Sequence, residues 1–177
     1  MKCCIPAVIL TLLAASSAWA VPPDSGHPLF LVQHPSVQKE LGMTAAQVKA
    51  VEPLAAPDKD AMETLAKTLD ARQAKRLAQI RYQVRGGLDL ADEAVGKELG
   101  LLGPQKRKLE AIAADREKDL TMVLQVTRFR NAASKRKFML SWRKEVADKM
   151  LAELTAEQKT AFEKMQGKKF DTSGVSK

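Results

Sequence analysis

The sequence predicts an all-α protein made of two tandem, related helical hairpins, with one long helix in the second half that is either bent or extended. The main observation is a pattern that occurs four times, in which an apolar residue precedes a helix cap and a glutamine follows the cap three residues later. A Ser, Thr or Asp cap accepts a hydrogen bond from an orphan backbone N–H group, and the glutamine accepts one from the cap's own N–H group. The segments are LGMTAAQ at 41–47, LDARQ at 69–73, LGLLGPQ at 99–105 and LTAEQ at 154–158.

Composition and an internal repeat support this fold class. Aromatic residues make up only 5% of the chain, and Ala, Leu, Lys and Glu dominate, which favours helices over a sheet. The segment VQKELGM at 37–43 is repeated as VGKELGL at 95–101, 58 positions later. Each copy is followed by a glutamine in the same order, which indicates an internal duplication with halves at 36–87 and 92–170.

The first half begins with a short helix after a leader. Residues 21–35 hold four prolines and a glycine, and we expect them to form a disordered or extended leader. Ser36 is the expected cap of a helix over residues 37–41, which Gly42 ends in a left-handed conformation.

Three more helices follow in the first half. One begins at Thr44 and is expected to kink or end early near Pro53, because proline disrupts a helix interior. A second spans residues 58–69. A third is capped by Asp70 and stopped by Gly86 and its neighbour.

The second half contains the long helical stretch. Gly103 and Pro104 are expected to open it, because proline is favoured at the start of a helix. A continuous helix from there to Glu153 would be roughly 75 Å long at 1.5 Å per residue. That is too long for one compact bundle, so we expect a bend, with residues 131–134 as its softest point, or an extension into a dimer. Thr155 caps the last helix, and residues 171–177 form a polar tail.

The N-terminus has the pattern of an export signal. Lys2 is the only charge in residues 1–20, an apolar run covers residues 5–15, and small residues occupy the cleavage positions before Val21. The run is too short to span a bilayer as a stable anchor. We therefore expect a periplasmic or secreted protein, although a buried N-terminal helix is the alternative interpretation.

The expected mature chain is basic and lacks cysteine. Cys3 and Cys4 both lie in the signal, so the rest has no disulfide, thiol nucleophile or cysteine metal site. Removal of the signal takes away Lys2 alone and lowers the formal net charge from +8 to +7. No later segment is apolar and long enough to suggest a membrane span.

The cap-motif residues have two possible roles. Capping-box chemistry explains their spacing by itself, so they are interpreted first as structural. Direct contact with a client protein is the alternative. The residues are Thr44, Gln47, Asp70, Gln73, Gln105, Thr155 and Gln158.

The repeated pattern resembles the LTxxQ-motif family of exported helical proteins, the periplasmic Spy/CpxP-like group. LTAEQ at 154–158 matches fully, MTAAQ at 43–47 differs at its first residue, LDARQ at 69–73 has Asp for Thr, and LLGPQ at 101–105 uses Gly-Pro. The sequence of residues 37–170 is also similar to the sequences of exported helical proteins of planctomycete-type bacteria. The resemblance implies a role in envelope stress, since family members are ATP-independent chaperones, regulators of a stress sensor or zinc binders.

A basic and aromatic stretch at residues 126–144 is the candidate binding surface. It can be an amphipathic helix with a solvated basic face and ordinary core aromatics. It can also hold partly unfolded proteins, because long basic side chains flank exposed apolar groups. Attraction to anionic lipid or nucleic acid is a third interpretation, and export argues against nucleic acid. The candidate protein-binding residues are Arg128, Phe129, Arg130, Arg136, Phe138, Met139, Trp142 and Arg143.

No pattern indicates catalysis, a cofactor or a resident metal. The chain has no GxSxG, phosphate-loop or HExxH motif. Its two histidines, His27 and His34, lie in the expected leader and would need carboxylates from elsewhere to complete a zinc site.

The sequence therefore predicts an exported, non-catalytic protein-binding protein, chaperone-like or part of the envelope stress response. Its expected partners are unfolded or envelope proteins and a second copy of itself, and not nucleic acid. The alternatives are a regulatory or structural envelope protein with one specific partner, or a metal-responsive relative.

Overall fold

The computed structural model describes residues 26–54 and 58–175, and within these ranges the protein is all-α, as predicted. The expected export signal and residues 21–25 lie outside the described residues. The helices are, in chain order, α1 (Pro28–Gln33), α2 (Pro35–Leu41), α3 (Ala45–Val51), α4 (Lys59–Thr68), α5 (Ala71–Arg85), a 3₁₀ helix (Gly86–Ala91), α6 (Glu93–Glu98), α7 (Gly103–Val126), α8 (Ala132–Ala152) and α9 (Ala156–Gln166).

Two hydrophobic cores organise these helices. The first core forms between α1, α2, α3, α4 and α5, with two residues from the C-terminal segment. The second core forms between the 3₁₀ helix, α6, the first turns of α7, the last turns of α8, and α9. Helix α5 contributes Leu77 and Ile80 to the first core and Tyr82 to the edge of the second. It is therefore the element that both cores share.

The expected leader is wrong for residues 28–33, which form α1. Pro28 begins the helix, and the Nδ1 atom of His27 accepts a hydrogen bond from the Leu29 N–H group at 3.3 Å. Leu29, Leu31 and Val32 are fully buried in the first core. Burial of each such side chain contributes about 1.5–3 kcal/mol to stability. This contribution stabilises α1 in a segment whose prolines predict an extended leader.

Helix α2 begins earlier than predicted. His34, and not Ser36, is the cap, because the His34 Nδ1 atom accepts a hydrogen bond from the Ser36 N–H group at 3.3 Å. The end of α2 agrees with the prediction, since Gly42 adopts a left-handed φ of 61° that L-residues rarely adopt. Helix α3 then ends early, at Val51, just before Pro53.

The 3₁₀ helix is the centre of the second core. Helix α5 ends at Arg85 as predicted, but the chain continues as a buried helical segment that packs against α8, α7, α6 and α5. Gly87 lets this segment approach α8 closely, because a Cβ atom there would lie 2.2 Å from the Ala147 carbonyl oxygen.

The long helical stretch is broken into two helices. Helix α7 ends at Val126, and α8 begins after Asn131, whose Oδ1 atom accepts a hydrogen bond from the Ser134 N–H group at 2.8 Å. The prediction of a soft point at 131–134 is close to this break, which lies at residues 127–131. In the described part of the chain, no helix combines the length and apolarity that a bilayer crossing requires.

The predicted polar tail is not wholly separate from the fold. Phe170 and Val175 are 9% and 7% exposed and belong to the first core. The segment after α9 thus crosses from the second core to the first. Phe170 falls within the predicted domain, whereas the burial of Val175 corrects the prediction that the domain ends at residue 170.

Candidate functional site

The cap motifs begin α3, α5 and α9 with complete capping boxes. At α3 the Thr44 hydroxyl accepts a hydrogen bond from the Gln47 N–H group at 3.2 Å, and the Gln47 Oε1 atom accepts one from the Thr44 N–H group at 3.0 Å. Asp70 with Gln73, and Thr155 with Gln158, repeat this arrangement at 2.8–3.3 Å.

The α7 motif makes only half of the box. Leu102 has no side-chain acceptor at the cap position, but its N–H group donates to the Gln105 Oε1 atom at 3.1 Å. Pro104 lies in the first turn, where a backbone N–H group has no intrahelical acceptor, so its absence removes no hydrogen bond. The degenerate motif therefore still begins a helix.

The first two cap motifs also bind each other. The Gln47 Nε2 atom donates to the Gln73 Oε1 atom at 2.8 Å, and the Gln73 Nε2 atom lies 3.1 Å from the Gln47 Oε1 atom. Gln47 also donates to the Thr68 carbonyl at 2.8 Å, and Gln73 donates to the Leu41 carbonyl at 3.3 Å. Each glutamine thus ties its own helix start to the end of the helix before the other motif.

The third and fourth cap motifs form an equivalent pair. The Gln105 Nε2 atom donates to the Gln158 Oε1 atom at 2.9 Å and to the Glu153 carbonyl at 3.0 Å, and the Gln158 Nε2 atom lies 3.2 Å from the Gln105 Oε1 atom. All four glutamine amides therefore make hydrogen bonds within the protein. This geometry favours the structural interpretation of the motif over direct client contact.

Six of the eight candidate protein-binding residues lie on an arm, which we define as residues 114–141. It consists of the second half of α7, the linker 127–131 and the first half of α8. No residue of the arm belongs to either hydrophobic core. The arm thus consists of parts of two helices that lie outside both cores.

The candidate residues differ in exposure. Arg128, Arg130 and Arg136 are exposed, Phe129 and Phe138 are half-buried, and Met139 is buried. Phe129 packs against Phe138, with ring centroids 5.4 Å apart and planes inclined by 45°. The aromatic pair closes the end of the arm, so the arm does not display all its apolar candidates to solvent.

Trp142 and Arg143 lie at the base of the arm and are both half-buried. Trp142 packs against the second core, and the Arg116 guanidinium lies 5.1 Å from its ring centroid. Burial lowers the pKa of Arg116 and of Arg143, and the charge of Arg85 lowers both further. Trp142 and Arg143 therefore lie where the arm meets the rest of the protein, and Trp142 packs against the second core.

The most exposed apolar residues of the arm were not among the candidates. Met122, Val126 and Leu140 are 60%, 73% and 40% exposed. The charge pattern of the sequence would have extended the candidate stretch to Met122. No Asp or Glu occurs between Asp119 and Glu145, whereas seven basic residues do. Residues 120–144 thus combine exposed apolar side chains with positive charge alone.

An ion-pair network that the sequence did not indicate holds the 3₁₀ helix. The side chain of Asp89 is fully buried, and its Oδ1 atom accepts hydrogen bonds from the Arg81 Nη2 atom at 2.8 Å and the Arg85 Nε atom at 2.6 Å. Arg81 also pairs with Asp92 at 3.1 Å. Burial alone would raise the pKa of Asp92, but the hydrogen bonds from Arg81 and the Ala94 N–H group lower it.

The two histidines are helix caps. Their Nδ1 atoms accept backbone hydrogen bonds at the starts of α1 and α2. Burial lowers the pKa of His27, and the charge of Arg81 lowers it further. Among the described residues, no group of three or more His, Cys, Asp or Glu side chains is arranged to hold a metal ion.

Comparison with protein-family models, curated proteins and solved structures gives no match. The resemblance to the LTxxQ-motif family therefore stays a prediction that rests on the four motif segments.

Proposed function

We propose that the mature chain is an exported, non-catalytic protein that binds partly unfolded proteins of the cell envelope without ATP. The observation that carries this proposal is the exposure of Met122, Val126 and Leu140 to solvent within residues 120–144, which contain seven basic residues and no acidic one. Long basic side chains beside exposed apolar groups can bind chains that expose both apolar and charged residues.

The energetics favour weak and reversible binding by the arm. Full burial of one large apolar side chain contributes about 1.5–3 kcal/mol. Association costs at least about 4 kcal/mol in lost translational and rotational freedom. Three apolar anchors would contribute about 4.5–9 kcal/mol, which is comparable to the cost of association. Such binding suits the transient holding of many clients better than a permanent complex.

The direct test is suppression of aggregation of an unfolding client protein by the purified mature chain. Substitution of Met122 and Val126 by Gln should abolish most of the suppression, because it removes the most exposed apolar anchors. Leu102→Gln is the matched control, since Leu102 is 67% exposed and lies outside the arm. Absence of suppression by the unmodified protein at several-fold excess would contradict a holding function, and equal suppression by the Gln variant would contradict the role of the arm.

The charged candidates permit a second test of the same surface. Arg128→Glu and Arg136→Glu should weaken client binding and leave helicity unchanged, because both side chains are exposed. Trp142→Ala should instead lower stability, because its ring packs against the second core. Circular dichroism and client binding measured on the same samples separate these effects.

A specific partner in the envelope is the second candidate function. The Phe129–Phe138 pair and the Arg116–Trp142 contact favour it, because they hold parts of the arm in one geometry, whereas an adaptable client surface would be looser. Isolation of one stoichiometric partner by the exported protein, together with no suppression of aggregation, would favour this function.

Self-association into a homodimer is consistent with either function, because a second copy can cover the exposed apolar residues of the arm. Light scattering on the mature protein measures the molar mass. A monomer at micromolar concentration would contradict the dimer.

A further inference from the structure

A second surface, remote from the arm in sequence, has two neighbouring cavities along α5. One cavity of about 520 Å³ lies between α5, the end of α6 and α9, and another of about 370 Å³ lies between α5 and the end of α2. Lys75 and Gln79 line both cavities, so the two lie side by side along α5. We call the two cavities together the α5 groove.

The α5 groove follows helix α5, with apolar side chains in its larger cavity. Tyr82, Leu99 and Met165 line the part between α5 and α9, and the last two belong to or pack against the second core. From Arg72 to Tyr82 the helix rises roughly 15 Å at 1.5 Å per residue. This length accommodates about five residues of extended chain.

Positive charge dominates the walls of the groove. Lys39, Arg72, Lys75 and Lys164 line it, and none of these four takes part in a salt bridge within the described residues. The opposing carboxylates are few. Glu40 is already paired with Arg76 at 2.7 Å, which leaves Glu98 as the other acidic side chain in the lining.

A polar side chain at the middle of the groove can bind a peptide backbone. Gln79 lies where the two cavities meet, and its Oε1 atom accepts a hydrogen bond from the Arg76 Nη1 atom at 3.1 Å. That bond fixes the amide so that its oxygen faces Arg76. The Nε2 group is a donor of the kind that pairs with backbone carbonyl groups.

We propose that the α5 groove binds an extended segment of a partner protein that carries carboxylates between apolar residues. The basic walls would pair with the carboxylates, the apolar lining near Tyr82 would cover alternate side chains, and Gln79 would bind the backbone. A nucleic-acid strand fits less well, since stacking of successive bases needs several aromatic platforms and the groove has one aromatic ring. This proposal does not depend on the function of the arm.

The test uses a fluorescently labelled peptide of about five extended residues, with glutamate and leucine alternating. We expect it to bind the mature protein in an anisotropy titration. A peptide with lysine in place of glutamate should not bind. The affinity should fall as salt is raised, because exposed charges are screened beyond roughly 10 Å at 0.1 M ionic strength.

Charge reversal locates the site. Lys75→Glu combined with Lys164→Glu should weaken binding of the acidic peptide about tenfold, since two attractive pairs become repulsive. Lys159→Glu is the matched control, because Lys159 is exposed on the same helix, α9, and does not line the groove. The control should bind as the unmodified protein does, and circular dichroism should show that all variants fold.

Several results would overturn the proposal. These are equal binding of the acidic and basic peptides, an equal loss in the control variant, or no loss in the double variant. Inorganic polyphosphate or anionic lipid vesicles are added as competitors. Displacement of the labelled peptide at a phosphate concentration below the concentration of peptide carboxylates would show instead that the groove binds phosphate-bearing ligands. Retention of peptide binding by the Gln-substituted arm variant would show that the groove and the arm are separate sites.

Discussion

Gln73 shows how much a single side chain contributes to this fold. It is 4% exposed and binds the Asp70 N–H group, the Leu41 carbonyl and the amide of Gln47. A buried amide whose hydrogen bonds are all made is stable, but removal of one partner leaves the others without compensation. The glutamine of the cap motif is therefore needed both for helix initiation and for the junction between two helix starts.

Substitution of Gln73 by Ala should lower the free energy of unfolding by about 2–3 kcal/mol, because the Leu41 carbonyl and the Gln47 amide lose their partner. Urea unfolding followed by circular dichroism measures the change. Gln47→Ala combined with Gln73→Ala should cost less than the sum of the two, since they share one amide pair. Gln158 belongs to the other pair, so the losses of unfolding free energy caused by Gln158→Ala and by Gln73→Ala should be additive within about 0.5 kcal/mol. Strict additivity for Gln47 with Gln73 would contradict the paired geometry.

Acid should weaken the attachment of α1 to the first core. The folded state holds the pKa of His27 below its ordinary value, so the unfolded state binds more protons once the pH falls below about 6.5. The contribution of His27 is thus fully present above that pH and is lost as the pH falls toward the folded pKa. Protonation of Nδ1 would also remove the acceptor for the Leu29 N–H group.

His27→Asn tests this pH dependence, because asparagine is a favoured cap that does not titrate. Thermal unfolding between pH 7.5 and 5 (values chosen to bracket the ordinary pKa of about 6.5) should show a smaller loss of stability in this variant than in the unmodified protein. His34→Asn, at the neighbouring cap, is the matched comparison. An unchanged pH dependence in His27→Asn would contradict the assignment.

At the scale of helices, local signals predicted most starts and ends. Thr44, Asp70 and Thr155 are caps as expected, and the predicted helix over 58–69 is observed as Lys59–Thr68. These features depend on hydrogen bonds between residues two to four positions apart, so a single sequence contains their causes. The break near Asn131 belongs to the same class.

Helix α1 was missed because its stability comes from residues far along the chain. Its proline-rich surroundings predict extended structure, yet Leu29 and Leu31 are buried in the first core, in which α1 packs against α5. The pairing of glutamines was missed for the same reason, since Gln47 and Gln73 are 26 positions apart and Gln105 and Gln158 are 53 apart. A local pattern contains no information about such partners.

The close approach of the 3₁₀ helix to α8 gives a prediction for this element. Gly87→Ala should destabilise the protein by about 1–3 kcal/mol, since the new methyl group would meet the Ala147 carbonyl, which is backbone and cannot rotate away. Gly103→Ala is the control, because its Cβ would lie 3.6 Å from the flexible Arg107 side chain. That variant should be neutral or more stable by up to about 1 kcal/mol. Equal stability of the two variants in urea unfolding would contradict the packing.

At the scale of the molecule, the predicted stretch 126–144 overlaps the arm only in part. The overlap includes the linker 127–131 and the exposed side chains of Arg128, Arg130 and Arg136. The aromatic side chains of the stretch, however, pack against each other or against the second core, and Met122 lies outside the stretch. Which apolar residues of an amphipathic helix face solvent depends on where the partner helix crosses, and sequence spacing does not determine that. The α5 groove was not foreseen, because it joins α2, α5, α6 and α9.

The two cores are connected by α5 and by the C-terminal segment. Gln83 of α5 donates to the Gln166 and Lys168 carbonyls at 2.7 and 2.8 Å and accepts from the Phe170 N–H group at 2.7 Å. These bonds lead the chain out of α9 and place Phe170 in the first core. Unfolding of either core should therefore disturb the other.

Phe170→Ala should break this coupling. It removes a large side chain from the first core and should lower the free energy of unfolding by about 3 kcal/mol. Trp142, which packs on the second core, reports that core through its fluorescence, and circular dichroism reports all helices. The two transitions should coincide in the unmodified mature protein, where Trp142 is the one tryptophan after the expected signal. In the variant, the circular dichroism signal should begin to fall at lower urea than the fluorescence. Coincident transitions in the variant would show that α5 alone is sufficient to couple the two cores.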